Sequence, residues 1–566
     1  MRTFIAAVQI VVLTLLALGG CKSNRAGSPG ASGSAQSPAE RPPLTLEVVF
    51  SSEKKAWAEE AIPRFNASHT TLSDGREVRV HVAYTGSVEP IADIVAGRNR
   101  AHVFSPASSL VIPLLNDAWT AARGPGSQPT ATTGEQLVLS PVVIAMWRPM
   151  AEALGWPARR LGWSEIAALA QEPQGWRAHG HPEWGDFRFG HTHPSYSNSG
   201  LISVLAENYA AVSKVRDLTA DDVASPGATA FVRNIESSVV HYGRSTGFFF
   251  DAMAQHGPGY LSAAVLYENL VVTAGSSPNA AAMPFPLVSL YPREGTMWAD
   301  HPYLVLSAPW VTAAERDAAA KFRAFLLSRP IQERAMTGFG FRPANTDIAL
   351  GAPIDAAHGA DPHEPQTLLA TPDGRTLAAT LDGWRQTKRA VNVMLVFDRS
   401  GSMAGAPLEG ARAGLTQFLG SLQSTDLAQL LTFSNDIDTP TSPSAPGTLV
   451  PRVRGVFAEG GTALYDAVDR ARTLVESAAR QDRSHIHAIV VLTDGEDRNS
   501  TMNLPTLLSR LATAESGSPV RIFTIGYGPE ANEAVLRQIA TRTGGAYYHG
   551  DVSNIRAVYD EIGSFF

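Results

Sequence analysis

Residues 392–403 read Asn-Val-Met-Leu-Val-Phe-Asp-Arg-Ser-Gly-Ser-Met, an apolar run that ends in an acid and two hydroxyls at alternate positions. The apolar run predicts a buried strand, so Asp398, Ser400 and Ser402 lie on the loop that leaves it. Carboxylate, hydroxyl and water oxygens are the donors that Mg²⁺ and Mn²⁺ prefer in an octahedral site. The stretch therefore predicts a divalent metal site at the end of a strand.

Two downstream segments have the same character. Gly460-Gly-Thr-Ala-Leu464 opens a predicted helix, and Val490-Val-Leu-Thr-Asp-Gly495 ends another apolar strand. Asp and Ser also cap helices and form turns without any metal, so each segment alone is a weak signal. In this order, within an alternating strand–helix pattern, the three segments resemble the metal-ion-dependent adhesion site of a von Willebrand factor A domain over residues 385–566.

The resemblance implies the fold and the site of this region. The fold is a doubly wound, Rossmann-like α/β domain, closed by Val552–Ile562, whose sheet carries ligands at the C-terminal ends of its strands. An Asp or Glu carboxylate of a partner protein would complete the coordination of Mg²⁺ or Mn²⁺. The positions that correspond to the family's metal site are Asp398, Ser400, Ser402, Thr462 and Asp494.

The beginning of the chain indicates export and lipidation. Arg2 precedes an apolar run over residues 4–18, and Leu18-Gly-Gly-Cys21, which holds the single cysteine, resembles a bacterial lipobox. The run is shorter than the about 20 residues that span a membrane, which disfavours a plain anchor. We expect residues 1–20 to be a signal peptide and Cys21 to anchor the protein by its lipid on the periplasmic face. The residue after Cys21 is Lys22 and not the aspartate that retains many lipoproteins at the inner membrane, which favours the outer membrane.

Composition limits the remaining possibilities. Residues 21–43 have almost no large apolar side chain beyond the lipidated cysteine and predict a disordered tether. A chain of 566 residues exceeds one core and implies several domains. A formal net charge of −7 over this length argues against a nucleic-acid partner.

Residues 44–344 alternate between predicted strands and helices, with two crossing segments at Gln136–Met146 and Leu261–Ala274. Asp300–Val305, a long amphipathic helix and then Gly340–Ala344 follow in order. This arrangement resembles a bacterial solute-binding protein and implies a two-lobed, periplasmic-binding-protein-like clamshell. The predicted divisions are lobe I at 44–137 and 268–344, lobe II at 138–267, and a connector at 345–384 that includes a short hairpin at 368–377.

Serine-rich loops follow several strands of this region and lead into helices. Their hydroxyls and the helix N–H groups predict a site for a small polar or anionic solute. The loop at 195–200 resembles the helix start that holds an oxyanion in phosphate-, sulfate- and molybdate-type binders, although simple helix capping by Ser197 or Ser199 explains it equally well. The candidate ligands are Ser51, Ser52, Ser87, Ser105, Ser108, Ser197, Ser199, Arg244 and Glu268.

Two further patterns resemble chemical sites. A dense histidine group, with Glu183 and Asp186 nearby, lacks a convincingly spaced acidic ligand and is a weak metal signal; it comprises His179, His181, His191 and His193. Ser51-x-x-Lys54, or Ser52-x-x-Lys55, is similar to a penicillin-type serine nucleophile, but the Lys-Thr-Gly element is missing.

The sequence therefore predicts a lipoprotein without catalysis that joins a solute-binding-like module to a Mg²⁺-dependent protein-interaction domain. One alternative is the substrate-binding component of an ATP-driven importer for a small polar or oxyanion solute. Another is a serine acyl transferase or hydrolase of the penicillin type.

Overall fold

A computed structural model describes residues 42–127, 129, 134–512 and 520–566. The predicted signal peptide, Cys21 and nearly all of the tether lie outside these residues. Within them, no helix combines the length and the apolar character that crossing a membrane requires. Pro43–Phe566 forms one compact unit.

The region before the connector carries short strands separated by helices. Its strands are β1 (Leu44–Ser51), β2 (Val78–Thr85), β3 (Val103–Ser105), β4 (Glu135–Gln136), β5 (Val138–Trp147), β6 (Phe189–Gly190), β7 (Ala263–Tyr267), β8 (Leu287–Leu290), β9 (Trp298–Ala299), β10 (Pro302–Val305) and β11 (Arg342–Pro343). Its helices are α1 (Lys55–Asn66), α2 (Ile91–Ala96), α3 (Val111–Arg123), α4 (Arg148–Ala153), α5 (Trp163–Ala170), α6 (Asn198–Ala211), α7 (Ala220–Val223), α8 (Pro226–Glu236), α9 (Thr246–His256), α10 (Glu268–Val272), α11 (Ala313–Leu326) and α12 (Arg329–Phe339).

Lobe I is built on a sheet with the strand order β2-β1-β3-β10-β4. β1 is parallel to β2 and β3, whereas β10 returns antiparallel to β3. The alternating apolar residues of β1 pack against α1 and α11, where Phe50, Phe65 and Phe322 form an aromatic cluster. The three parallel strands therefore bring their C-terminal loops, which carry the predicted serines, to one edge of the lobe.

Lobe II extends further along the chain than its predicted end at residue 267. Its sheet has the order β11-β5-β7-β6, and β8 and β9 also pair with β5. β5 is ten residues long, which gives it room for partners on both sides. The chain therefore returns to lobe I only at β10, and residues 287–299 belong to lobe II. β11, which was predicted in lobe I, also pairs with β5 of lobe II.

The connector contains helix α13 (Gly374–Thr387) rather than the hairpin predicted at 368–377. Leu368 instead forms a parallel bridge to Thr296 of lobe II. Asp373 accepts a hydrogen bond from the N–H of Thr376 at 2.8 Å and caps the helix. The turn residues thus start a helix, which packs on α6, α7 and α8 of lobe II and also reaches α3 of lobe I.

The C-terminal domain is a parallel five-stranded sheet with the order β13-β12-β14-β15-β16. The strands are β12 (Ala390–Asp398), β13 (Leu427–Phe433), β14 (His485–Thr493), β15 (Arg521–Tyr527) and β16 (Tyr547–Gly550). The helices are α14 (Ala406–Ser421), α15 (Val450–Gly455), α16 (Leu464–Gln481), α17 (Leu504–Ala512), α18 (Glu533–Thr541) and α19 (Ile555–Gly563). Short 3₁₀ turns elsewhere include Ser52–Lys54 and Gly401–Met403.

The predicted fold class is confirmed: a two-lobed clamshell precedes a doubly wound α/β domain. β12 and β14 are almost completely buried, as their unbroken apolar runs predicted. The predicted closing segment is α19, which packs on α14. β16 lies between β15 and that helix in sequence and was not predicted, because only four residues form it.

Candidate metal site and inter-lobe cleft

The three metal-site segments meet at one edge of the C-terminal sheet. β12 and β14 are parallel neighbours, with Phe397 opposite Leu492. Their C-terminal ends therefore lie side by side, which brings the Asp398 loop next to the Asp494 loop. The segment that contains Thr462 leads into α16, whose N-terminus faces the same edge.

Asp398 is fixed by hydrogen bonds from both loops. Its Oδ1 accepts from the N–H of Ser400 at 2.8 Å, and its Oδ2 accepts from the hydroxyl of Thr493 at 2.5 Å. Thr493 was not predicted as part of the site, although it directly precedes the aspartate at the end of β14. Both bonds orient a carboxylate that is completely buried.

The hydroxyl side chains continue from this carboxylate to the second one. Ser400 Oγ lies 3.1 Å from Ser402 Oγ, and the Ser402 hydroxyl donates to Asp494 Oδ1 at 2.9 Å. A Cβ at Gly495 would stand 3.7 Å from Thr462 Oγ1, so the Thr462 hydroxyl borders the loop that follows β14. The structure thus brings all five predicted residues to one place.

Backbone contacts hold the Thr462 loop in position. The N–H of Gly401 donates to the carbonyl of Gly460 at 2.9 Å, and the N–H of Thr462 donates to Asn499 Oδ1 at 2.9 Å. Gly460 has φ of +75°, a left-handed conformation that glycine adopts readily. The Gly-Gly pair therefore serves a tight turn that places the Thr462 hydroxyl.

The charge of the site favours a cation. Burial raises the pKa of Asp398 to about 6, and the nearby Asp494 adds to that shift. Burial likewise raises the pKa of Asp494. Two carboxylates and three hydroxyls, with Ser402 open to solvent, form an all-oxygen donor set. Such a set fits a hard divalent ion such as Mg²⁺ or Mn²⁺, which would compensate both buried charges.

Arg399 lies between the ligands but is directed to other partners. Its guanidinium donates to Asp438 at 2.8 Å and to Glu459 at 2.8 Å. It also lies 5.8 Å from the ring of Phe457, a side chain that is 61% exposed. Arg399 therefore organises a rim of charged and apolar groups beside the oxygen set.

The serine loops of the two lobes also meet, at the inter-lobe cleft. The N–H of Val88, next to Ser87, donates to the carbonyl of Tyr196, next to Ser197, at 3.3 Å. Arg244 of lobe II forms an ion pair with Glu89 of lobe I at 2.8 Å. The buried candidates in this cleft are Ser51, Ser87, Ser105, Ser108, Ser197 and Ser199. Ser52 is half-buried.

Most of these hydroxyls have partners within the protein. Ser87 Oγ accepts from the N–H of Ala107 at 2.9 Å, and Ser108 Oγ accepts from the N–H of Leu110 at 3.1 Å. Ser199 Oγ lies 2.7 Å from the hydroxyls of both Thr192 and Thr246. The Ser105 hydroxyl is buried with no partner among the described residues.

Glu268 has other surroundings than solute binding requires. It is buried in an ion pair with Arg342 at 2.6 Å and accepts a hydrogen bond from the Tyr291 hydroxyl. These contacts take up its carboxylate. Ser197 precedes α6, but its hydroxyl makes no capping bond to that helix, so the capping explanation does not hold for it.

Lys54 is a cleft residue that the solute-site prediction missed. It is fully buried, and its ammonium donates to Ser51 Oγ at 2.6 Å and to the carbonyl of Pro106 at 3.2 Å, with His301 Nδ1 at 3.0 Å. Burial lowers the pKa of Lys54 from 10.5 to about 7. The Ser51-x-x-Lys54 spacing is the signal that could have indicated this contact, because residues three apart meet within one helical turn.

The predicted histidine group does not assemble as one site. His181 stacks on Trp184 and pairs with Glu183 at 2.9 Å, whereas His193 packs against Trp384 of the connector. His191 lies in the core of lobe II beside two glutamates from distant parts of the chain, Glu207 and Glu236. Sequence spacing gave no indication of those two partners.

Family comparisons match both parts of the chain. Residues 46–342, just over half of the chain, match the family of bacterial extracellular solute-binding proteins. Residues 392–561 match the von Willebrand factor type A domain. The two resemblances read from the sequence are thereby confirmed.

Curated relatives fall into two groups. An uncharacterized protein of Mycobacterium tuberculosis (strain ATCC 25618 / H37Rv) is 23% identical over 533 residues, covering 90% of this chain and 74% of that protein. Inter-alpha-trypsin inhibitor heavy chain H4 of Homo sapiens is 30% identical over 163 residues, covering 27% of this chain and 17% of that protein. The chain therefore spans less than a fifth of the length of that human relative.

Solved structures resemble the two parts separately. The periplasmic thiamin binding protein has 13% identity and a TM-score of 0.43, over 61% of this chain and 96% of its own. The von Willebrand factor type A from Catenulispora acidiphila has 20% identity and a TM-score of 0.28, over 31% of this chain and 42% of its own.

Proposed function

The chain belongs to the bacterial extracellular solute-binding proteins and carries a C-terminal von Willebrand factor type A domain, and from that premise we propose that it is a cell-envelope lipoprotein that binds a partner protein. Binding would require Mg²⁺ or Mn²⁺ at the A domain and would involve no catalysis. The observation that carries this proposal is the convergence of five oxygen-bearing side chains at the sheet edge, with Ser402 facing solvent.

The residues of the site supply two kinds of oxygen ligand to an ion. Ser400, Ser402 and Thr462 offer neutral oxygens, and Asp398 and Asp494 supply the negative charge. A divalent ion held mainly by neutral oxygens supplies a strongly attracting position for an incoming carboxylate. Thr493 and the N–H of Ser400 keep Asp398 oriented, so the site does not have to reorganise when a partner arrives.

The rim beside the site suits a protein better than a small molecule. Phe457 exposes most of its ring, and Arg399, Glu459 and Asp438 surround it with charges of both signs. Interfaces commonly combine an aromatic contact with a polar rim. The proposed partner therefore presents an Asp or Glu to the ion and an apolar side chain to Phe457.

A capture experiment tests the proposal. The full-length protein would be immobilised and exposed to envelope extract with Mg²⁺ or with a chelator. We expect a partner that is retained with Mg²⁺, released by the chelator and lost with Asp398→Ala. Asp482→Ala, at the opposite edge of the same sheet, is the control and should retain the partner. Equal retention by wild type and Asp398→Ala would refute the metal-dependent contact.

Membrane anchoring rests on Cys21, which lies outside the described residues. Acylation of this single cysteine would tether the folded part to the membrane by lipid alone, with the outer membrane favoured. Growth with a radioactive fatty acid should label the wild type and leave Cys21→Ser unlabelled. A labelled Cys21→Ser variant would exclude this anchor.

Solute binding is the second candidate function, and the unpartnered Ser105 hydroxyl at the meeting point of the lobes favours it. The buried Lys54 ammonium nearby adds a positive charge that suits an oxyanion. Sulfate, phosphate and molybdate would be screened by calorimetry with wild type and Ser105→Ala. Binding that weakens in the variant supports this function and a role as the binding component of an importer; equal binding argues against a role for Ser105.

The absence of catalysis is also part of the proposal. A substrate cannot reach Ser51 in the closed cleft, because this residue is 1% exposed and its Oγ accepts the Lys54 hydrogen bond. A fluorescent β-lactam should therefore leave the protein unlabelled on a denaturing gel. Covalent labelling that Ser51→Ala removes would establish the acyl-transferase alternative instead.

A further inference from the structure

Three titratable side chains meet in the core of lobe II. His191 follows β6, Glu207 lies on α6, and Glu236 ends α8. All three are completely buried. One potential ligand atom from each lies within 4.8 Å of the others, and His191 Nε2 is 3.0 Å from Glu236 Oε1.

The hydrogen bonds of the imidazole orient its free nitrogen toward the carboxylates. His191 Nδ1 lies 2.8 Å from the carbonyl of Thr192, and a carbonyl only accepts, so Nδ1 carries the hydrogen. Nε2 then presents its lone pair to Glu236 Oε1. Two lone pairs at this distance need a proton or a metal ion between them. A backbone carbonyl that accepts from Nδ1 is the usual companion of a metal-binding Nε2.

The glutamates leave one oxygen without a partner. Glu207 Oε1 accepts from the Ser203 hydroxyl at 3.0 Å, and Glu236 Oε2 accepts from the Tyr242 hydroxyl at 2.5 Å. Glu207 Oε2 is buried and has no hydrogen-bond partner among the described residues. A buried carboxylate oxygen in this state is costly unless a cation or a proton satisfies it.

Lys388 interacts electrostatically with Glu236, but nearby bases do not form a described ion pair with the cluster. Burial and the neighbouring Glu236 raise the pKa of Glu207. Lys388 and Arg389 are the cations that approach this side of lobe II. Arg389 donates to the carbonyls of Val239, Arg483 and His485, and neither base makes a described ion pair with Glu207 or Glu236.

We propose that His191, Glu207 and Glu236 form a buried structural site for one divalent transition-metal ion of the Zn²⁺ class. Such an ion takes His nitrogen and carboxylate oxygen at about 2.0–2.2 Å, so its ligand atoms stand about 3.0–3.6 Å apart. The His191 Nε2–Glu236 Oε1 separation of 3.0 Å already has this spacing, and the remaining separations are within 4.8 Å. The imidazole ligand separates this site chemically from the all-oxygen site of the A domain, which suits Mg²⁺.

The site would stabilise the contact between lobe II and the A domain. Tyr242, which donates to Glu236, packs edge-to-face on Trp384 of α13 with ring centroids 5.2 Å apart. Its backbone N–H donates to the carbonyl of Phe565 at 3.1 Å. An ion that fixes Glu236 therefore also fixes a tyrosine that contacts the connector and the A domain.

Metal content after refolding tests the assignment. The full-length chain would be unfolded with a chelator and refolded with Co²⁺ or Zn²⁺ in the presence of excess Mg²⁺, then desalted. We expect about one transition-metal ion per chain, with a visible absorption band for the Co²⁺ form. Glu207→Gln, which keeps the shape and the Ser203 contact, should lose this ion. Asp398→Ala, at the A-domain site, should keep it.

Two results would overturn the proposal. One is wild-type protein that refolds in equal yield with chelator and retains no Co²⁺ or Zn²⁺. The other is Glu207→Gln that retains as much metal as wild type. If Glu207→Gln does not fold, the dependence of wild-type refolding yield on Zn²⁺ decides the question. A metal-free wild type, together with a Glu207→Gln variant at least as stable, would show that a proton holds the cluster.

Discussion

The metal edge of the A domain (Asp398, Ser400, Ser402, Thr462 and Asp494) and the inter-lobe cleft both carry hydroxyl side chains, but these side chains have different surroundings. In both, hydroxyl side chains stand on loops that leave parallel strands. At the metal edge, Ser402 faces solvent and the oxygens converge on a common position. In the cleft, Ser87, Ser108 and Ser199 are buried and bonded within the protein. A serine-rich loop therefore indicates where a site lies but not whether solvent reaches it.

The difference arises from what faces each loop. At the metal edge, Ser402 is exposed, although Asp398, Ser400, Thr462 and Asp494 are buried. The loops of lobe I face those of lobe II and contact them at Val88 and Tyr196, and the cleft serines that the sequence predicted are buried there, apart from Ser52. Lys54 then fills the cleft with a charge of the protein's own.

The largest expected effect concerns the metal edge. Mg²⁺ at 100 times its dissociation constant should stabilise wild type by about 2.7 kcal/mol, since it binds only the folded state. Asp398→Ala should abolish this increment because it removes a buried carboxylate that compensates the ion. Differential scanning calorimetry with and without Mg²⁺ measures it, and Asp482→Ala is the control that should keep the increment. An unchanged Mg²⁺ response in Asp398→Ala would remove the contrast between the two regions.

The second test separates two buried serines within the cleft. Ser51→Ala removes an acceptor of the buried Lys54 ammonium and should destabilise the protein by about 1.5–3 kcal/mol. Ser105→Ala removes a hydroxyl without a partner and should change stability by less than about 0.5 kcal/mol. Urea unfolding of both variants measures the difference. Equal losses would show that the Ser51–Lys54 hydrogen bond contributes no more to the free energy of unfolding than the unpartnered Ser105 hydroxyl does.

The third test uses acid to open the cleft. Burial and the adjacent Lys54 hold the pKa of His301 well below 6.5, while Glu53, Asp300 and Tyr267 are the other titratable groups around it. The unfolded chain therefore takes up the proton first. The stability from neutral His301 is present above about pH 6.5 and is lost as the pH falls, by about 1 kcal/mol one unit lower.

His301→Asn isolates this contribution. Asparagine tolerates the positive φ of 41° at this position and does not titrate in the range. The melting temperature of the variant should fall less steeply between pH 7 and 5 than that of wild type. Parallel pH profiles of the two proteins would show that the cleft is not the acid-sensitive region.

The smallest expected effect concerns the ion pair across the cleft. Glu89 and Arg244 are partly exposed, so Glu89→Gln should cost less than about 1 kcal/mol and less still in high salt. Chemical unfolding at two salt concentrations measures it. A loss as large as that of Ser51→Ala would show that surface charge, rather than buried hydrogen bonding, keeps the lobes together.

The fold and the metal edge could be predicted because their signals are local. An apolar run followed by Asp398, Ser400 and Ser402 indicates both the strand and the metal ligands within a dozen residues. The short strands β4, β6 and β16 carried no such signal, and the lobe boundary near residue 267 was placed too early because β8 and β9 pair with a distant strand.

The cleft and the histidine–glutamate cluster depend on contacts between distant segments. Glu268 looked like a possible ligand, but its ion pair with Arg342 joins residues 74 positions apart. Glu236 lies 45 positions from His191. No spacing rule applies over such separations, because the fold and not the local helix or strand geometry brings these side chains together.

The Arg342–Glu268 pair has a kinetic consequence. Arg342 donates to Glu268 through two nitrogens and to the carbonyls of Asp361 and Pro362 of the connector, and β11 and α10, which carry the two charged residues, both pack on β5 of lobe II. Releasing this part of the connector from lobe II requires the buried junction to yield. The backbone amides around Asp361 should therefore exchange their hydrogens slowly, at the rate at which the junction opens.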